Sequence, residues 1–194
     1  MKVLLATYNP AKLKDYLKVL SAKGIEAETL EDLKINDKAD ETKATYEENA
    51  REKALFYYRL SKIPTIAEDG GFNIDYLNGE PGVKSRRWLG HEASDEELIE
   101  YLREKIKEIP KEQRTARLTT VLCLVKSESE IYTVKNSIEG YLTEEYNPNY
   151  PKGLPFRALF IEKTFDKYLM DLTEEEYNQV NHRRKNIEGL MKYF

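Results

Sequence analysis

The stretch Pro64-Thr65-Ile66-Ala67-Glu68-Asp69-Gly70-Gly71-Phe72-Asn73-Ile74-Asp75-Tyr76-Leu77-Asn78-Gly79-Glu80-Pro81-Gly82-Val83-Lys84-Ser85-Arg86-Arg87 decides the reading of the fold. A short apolar strand runs into two adjacent carboxylates and two glycines. An alternating strand, a glycine–proline turn and a basic pair follow. Carboxylates at the end of a buried strand, beside glycines that leave backbone open, suit a divalent metal carrying a phosphorylated ligand. Glu68 to Gly71 is also ordinary chemistry for an acidic turn between two strands, and alone the stretch favours that turn.

Working outward, the chain begins strand, polar loop, helix. Lys2 to Ala6 is short and mostly apolar, as in a buried parallel strand. Pro10 fits a first helical turn and Asn9 an N-cap, and Leu13, Tyr16, Leu17 and Leu20 continue at helical spacing. That helix start is a natural phosphate seat, and Lys12 adds a charge in its first turn. Gly24 ends the helix, and Glu26 to Leu30 reads as a second strand. Lys34 to Lys43 is polar and reads as a mobile loop. Thr45-x-x-Glu48 is a capping box opening a helix to about Leu60, in which Asn49 and Lys53 share one face.

Downstream, Ser94-x-x-Glu97 caps a helix to about Ile106. Ala116 to Lys126 and Glu130 to Tyr141 are rich in β-branched and apolar residues and predict a long hairpin. Leu154 to Glu162 predicts a loop entering a strand. Thr173-x-x-Glu176 opens a last helix whose apolar pattern is interrupted by the polar run Asn181 to Lys185. Helices and strands that alternate early, with a hairpin late, make an α/β protein with a mixed, partly parallel sheet.

A chain of 194 residues is expected to form a single domain, residues 1–194. The net charge of −4, with interleaved signs, argues against a binder of nucleic acid polymers. It leaves room for one nucleotide, for which a metal and a few lysines suffice. Cys123 is the only cysteine, so the chain has no internal disulfide and no cysteine-based zinc site. It lies in an apolar run and is expected to be a buried, inert thiol. Neither a signal peptide nor a membrane-spanning stretch is evident, so a soluble cytoplasmic protein is expected.

Four motifs in sequence order resemble the inosine triphosphate pyrophosphatase family. Thr7-Tyr8-Asn9-Pro10-Ala11-Lys12 is similar to its Thr-Gly-Asn-x-x-Lys phosphate loop. Glu41-Thr42-x-x-Thr45-Tyr46-x-Glu48-Asn49-Ala50-x-x-Lys53-Ala54 is similar to its Glu-Thr-Gly-x-Thr-Phe-x-Glu-Asn-Ala-x-x-Lys-Ala segment. Ala67 to Gly71, followed by Asn78-Gly79-x-Pro81-Gly82-Val83-x-Ser85, resembles Ala-Asp-Asp-Ser-Gly-Leu with its glycine–proline turn, and His182-Arg183 stands at its Ser-His-Arg.

The resemblance implies an elongated α/β protein of two lobes, with a central mixed sheet flanked by helices, a cleft between the lobes and usually a homodimer. It implies hydrolysis of a deaminated purine nucleoside triphosphate to monophosphate and pyrophosphate with Mg2+. By position, Glu41, Glu68 and Asp69 are the metal candidates, with Asp69 the general base. Thr7, Asn9, Lys12, Lys53 and Gly70 are the phosphate-side candidates, and Phe156, Arg157, His182 and Arg183 the base-side ones. The departures concentrate on the base side, where Arg157 replaces an acidic residue; Tyr177 replaces a lysine, which implies the loss of one phosphate contact. A nucleotide pyrophosphatase of altered base preference and a catalytically silent nucleotide-binding homologue are the rival readings.

Overall fold

The computed structural model describes residues 2–194 and divides them into two compact units. The first comprises residues up to Gly70, Thr120–Asn136 and His182–Phe194, and the second Gly71–Thr119 and Ser137–Asn181. The eight strands are β1 (Lys2–Ala6), β2 (Glu26–Thr29), β3 (Thr65–Ile74), β4 (Pro81–Gly82), β5 (Thr115–Val125), β6 (Ile131–Leu142), β7 (Phe160–Glu162) and β8 (Lys167–Tyr168). Their hydrogen-bonded order is β2-β1-β3-β5-β6-β7-β8, with β4 on β3, a mixed sheet as expected. The helices are α1 (Pro10–Ala22), α2 (Tyr46–Ser61), α3 (Asp95–Glu108), α4 (Glu174–Val180) and α5 (His182–Leu190).

In the first unit, β1 pairs in parallel with β2, in register from Lys2 opposite Glu26, and with β3, Leu4 opposite Thr65. Parallel strands need covered faces, which is why β1 is apolar and buried from Val3 to Ala6. Val3, Leu5 and Ile66 pack with Tyr16, Val19 and Leu20 of α1, Leu122 and Leu124 of β5, and Ile187 and Leu190 of α5. Each such fully buried aliphatic chain contributes about 1.5–3 kcal/mol, so Leu20→Ala is expected to cost about 2–5 kcal/mol. Asn9 caps α1, its side-chain oxygen accepting from the backbone N–H groups of Ala11 and Lys12. The capping box of α2 is closed in both directions between Thr45 and Glu48. Lys62, left-handed at φ 58°, ends the helix.

In the second unit, the apolar side of α3 (Leu98, Ile99, Leu102, Ile106) packs with Phe72, Ile74, Ile138, Leu159 and Phe160. β6 and β7 pair antiparallel with Tyr141 opposite Ile161. Arg114 donates to the carbonyls of Ile109 and Ile106 at the C-terminal end of α3, where carbonyls lack helical partners or, like that of Ile106, hold only the cap N–H.

Two expectations are corrected. Glu68 to Gly71 is not a turn: β3 runs unbroken from Thr65 to Ile74. Ala67 is in register with Ala6, and Phe72 and Asn73 with Gly82 and Pro81, so ladder pairing on both flanks carries the chain straight. The last helix is two: the segment from Thr173 closes at Asn181, whose ψ of 103° leaves the helical region, and α5 restarts at His182. Lys34 to Lys43 is irregular as expected, yet side chains hold it at several points, described below.

Candidate active site

The strand alternation of β3 explains the site in the first unit. Successive side chains on a strand point to opposite faces. Glu68 accordingly meets α1 and α5, and Asp69 meets α2.

Glu68 is 3% exposed and surrounded by donors. The Tyr16 hydroxyl donates to Oε2 at 2.5 Å and Arg183 Nε to the same oxygen at 2.8 Å. Arg183 donates to Oε1 at 3.3 Å, and Lys12 Nζ lies 3.0 Å from that oxygen. Burial opposes this charge, but Arg183, Lys12 and the two hydrogen-bonding partners outweigh burial and hold the carboxyl well below the usual carboxylate range. Arg183 is equally buried and also donates to Asp15 at 2.9 Å. Burial with Glu68 beside it pushes the Tyr16 hydroxyl well above its ordinary value, so Tyr16 remains a donor.

Asp69 has a different environment. It is buried, and one oxygen accepts from Asn49 Nδ2 at 3.0 Å. Burial raises its pKa, helped by the nearby charge of Glu41 and opposed by Lys12, Lys53 and the Asn49 hydrogen bond. Asn49 also accepts from the backbone N–H of Lys43 at 2.9 Å, tying the preceding loop to the carboxylate. Lys53 is ion-paired with Glu41 and reaches the Glu68 carbonyl at 3.4 Å. Two neighbouring carboxylates are thus tuned apart: Glu68 is neutralised by fixed cations, while Asp69 is buried with weaker compensation.

In the loop between β1 and α1, Asn9 uses its oxygen to cap α1, and Thr7 accepts from the Asn9 N–H at 3.2 Å. These two residues shape the loop that delivers Lys12. Gly70 continues β3 directly after Asp69, and His182 is buried at the start of α5. The structure therefore gathers Lys12, Lys53, Glu41, Glu68, Asp69 and Arg183 in one unit. Among the described residues, no group of three His, Cys, Asp or Glu side chains stands close enough to hold a metal. The donor set nevertheless fits magnesium, which takes hard oxygens from one or two carboxylates and completes its shell with water and substrate phosphate. Asp69 and Glu41 supply such oxygens; both oxygens of Glu68 already face cations.

In the second unit, Phe156 is buried with its ring stacked on Phe72, centroids 4.9 Å apart and planes within 8°. Arg157 is buried, its guanidinium 6.0 Å from the Tyr177 ring centroid and donating to the Tyr177 hydroxyl at 3.4 Å. Arg157 and Tyr177, both departures from the family the sequence resembles, are therefore in contact. Asp95, at the first turn of α3, accepts from the Gly153 N–H at 2.6 Å and pairs with Arg86. This anchors the chain just before the segment Leu154 to Glu162, which carries Phe156 and Arg157.

The sequence profile of the Ham1 family matches residues 3–193. The chain belongs to the Ham1 family. The dITP/XTP pyrophosphatase of Bacillus subtilis (strain 168) is 36% identical over 191 residues, covering 98% of this chain and 96% of that protein. The dITP/XTP pyrophosphatase of Elusimicrobium minutum is 38% identical over 197 residues, covering 99% and 98%. The solved Ham1 protein of Staphylococcus aureus superposes with a TM-score of 0.82 at 26% identity, covering 100% of this chain and 97% of that one. Within this Ham1 chain, sequence reasoning overlooked Tyr16 and Asp15 as site residues. Their spacing from Lys12, four and three residues along one helix, places them on its face; the helical pattern alone reads Tyr16 as one of the apolar residues.

Proposed function

We propose that the chain is a magnesium-dependent nucleoside triphosphate pyrophosphohydrolase acting on deaminated purine nucleotides, ITP, dITP or XTP. The observation that carries this reading is Asp69: a buried carboxylate of raised pKa, held by Asn49 and flanked by Lys12 and Lys53. Support comes from the relatives of B. subtilis and E. minutum, which are dITP/XTP pyrophosphatases.

In this reading the water oxygen bonds to the α-phosphorus and the bond to the bridging oxygen breaks, so that pyrophosphate leaves. Asp69 takes the proton from that water, a task for which a carboxylate of raised basicity is suited. Lys12 and Lys53 neutralise phosphate oxygens, as phosphoryl-transfer sites require. Asp69 and Glu41 would hold the magnesium ion, which when bound supplies further neutralisation of the phosphates. Glu68, with Arg183 behind it, fixes where the Lys12 ammonium sits. Phe156, Arg157 and His182 remain our candidates for the base side. A homodimer in the cytoplasm is part of the same proposal. No helix among the described residues is long and apolar enough to cross a membrane.

A second reading, altered base preference, is favoured by Arg157, a donor held against Tyr177 where the resembled family has an acidic acceptor. Pyrophosphate release from ITP, dITP, XTP, GTP and ATP with magnesium tests both. Preferred turnover of ITP, dITP or XTP supports the first reading. Preference for another nucleotide supports the second, and no release from any nucleotide refutes both.

A further inference from the structure

Residues 35–45 contain no helix or strand and are mostly exposed and polar. A segment so poor in buried apolar contacts is normally among the first to open. Here side chains from two regular regions hold it instead. From the loop between β1 and α1, the Tyr8 hydroxyl shares its proton between the carbonyls of Ile35 at 2.7 Å and Asp37 at 3.1 Å. From α2, the Tyr57 hydroxyl donates to the same Asp37 carbonyl at 3.0 Å and accepts from the Ala39 N–H at 3.4 Å. Asn49 grips Lys43 at the far end through its backbone N–H. Glu41 lies between these anchors, paired with Lys53 and close enough to raise the pKa of Asp69.

The ring of Tyr8 is 48% exposed, so burial accounts for little of what this residue does. Burial pushes the Tyr57 hydroxyl up to about 12, so it stays a donor through the physiological range.

We propose that Tyr8 and Tyr57 are positioning residues that latch residues 35–39 and thereby hold the Glu41 carboxylate beside Lys53 and Asp69. The proposal rests on the metal role given to Glu41 and Asp69 above. Neither tyrosine touches the reacting atoms; each acts through the backbone leading to Glu41.

The test uses the full chain with Tyr8→Phe and, separately, Tyr57→Phe. Tyr8→Phe removes a hydroxyl from a half-exposed ring and is expected to fold normally. Amide hydrogen exchange, measured without metal or nucleotide, should speed up by roughly three- to tenfold at Ile35 and Ala39, whose backbone N–H groups are hydrogen-bonded, the range set by one lost hydrogen bond. Exchange in β1 and β3 should be unchanged. Mn2+ affinity, followed by the free-ion paramagnetic signal, should weaken by a similar factor, and the magnesium needed for half-maximal pyrophosphate release should rise while kcat at saturating magnesium stays close to wild type. Unchanged exchange in Tyr8→Phe would overturn the latch. Faster exchange with unchanged Mn2+ affinity would overturn the positioning role, and so would a wild-type chain that binds no Mn2+. Weakened Mn2+ binding in a protein that releases no pyrophosphate from any nucleotide would sustain the latch and refute the proposed reaction.

Discussion

Replacing Arg183 with methionine leaves the side-chain volume similar and removes the fixed cation opposite Glu68. In the wild type, Glu68 and Arg183 are 3% and 2% exposed and meet through two hydrogen bonds of 2.8 and 3.3 Å. Lys12 and Tyr16 would remain on Glu68, so the carboxylate would be partly compensated. Breaking a buried pair from one side costs about 3–5 kcal/mol, and partial compensation puts the expectation near the lower end. At about 2–4 °C per kcal/mol for a chain of this size, the melting temperature should fall by roughly 6–12 °C.

The loss should also depend on pH. The folded-state pKa of Glu68 lies below its unfolded value, held there by Arg183 and Lys12 against burial. Its stabilisation is therefore complete above the unfolded value and fades as pH falls through the folded one. Without Arg183 the folded pKa rises, so the gap between variant and wild type should be widest near neutrality and narrow toward pH 4. Urea unfolding across that range measures it. The double variant Glu68→Gln/Arg183→Met should be more stable than Arg183→Met, because the fully buried Glu68 charge that has lost its Arg183 partner is itself removed, while Lys12 and Asp15, the groups then left, are less deeply buried. A loss below about 1 kcal/mol at pH 7, far short of a broken buried pair, would refute this account of the network. A double variant no more stable than the single would do the same.

Other consequences are open to direct measurement. Arg157→Asp with Tyr177→Lys restores the residue types of the resembled motif and should change the ratio of kcat/KM between ITP and XTP by about tenfold or more, since a mismatched buried donor is heavily penalised; an unchanged ratio would remove this pair from base selection. Asp95→Ala releases the Gly153 N–H and should raise KM more than it lowers kcat; equal KM values in variant and wild type would show that the anchor does not matter. Cys123 is buried, and burial pushes its thiol up to about 12, so iodoacetamide at pH 8 should leave the folded protein unlabelled and label it only in denaturant.

The parts of the fold that rest on local chemistry were legible in the sequence. The Asn9–Pro10 start of α1 and the boxes at Thr45, Ser94 and Thr173 all appear as expected, because each cap is completed within three residues. Glu68 to Gly71 misled because turn propensity is local and the pairing that overrides it is not. The partners, Ala6 and the Pro81–Gly82 strand, lie in other segments. The break at Asn181 was visible as a polar run, but not as a boundary between two helices. The site was partly legible. Lys12, Glu41, Lys53, Glu68 and Asp69 stand in motifs, while the division of labour between Glu68 and Asp69 depends on Arg183, 115 residues from Glu68 in the chain. The tyrosine hydroxyls of Tyr8, Tyr16 and Tyr57 leave no periodic trace, since a phenol at an apolar position reads as a plain aromatic.

The central claim is that Asp69 takes the proton from the attacking water. Pyrophosphate release from the best nucleotide, measured for wild type and Asp69→Asn at saturating magnesium, tests it most directly. The amide keeps the size and can still hydrogen-bond near Asn49, but it cannot accept the proton. General-base loss predicts a fall in kcat of about 10²–10⁴-fold with KM changed far less. An Asp69→Asn enzyme that keeps wild-type kcat would contradict the claim.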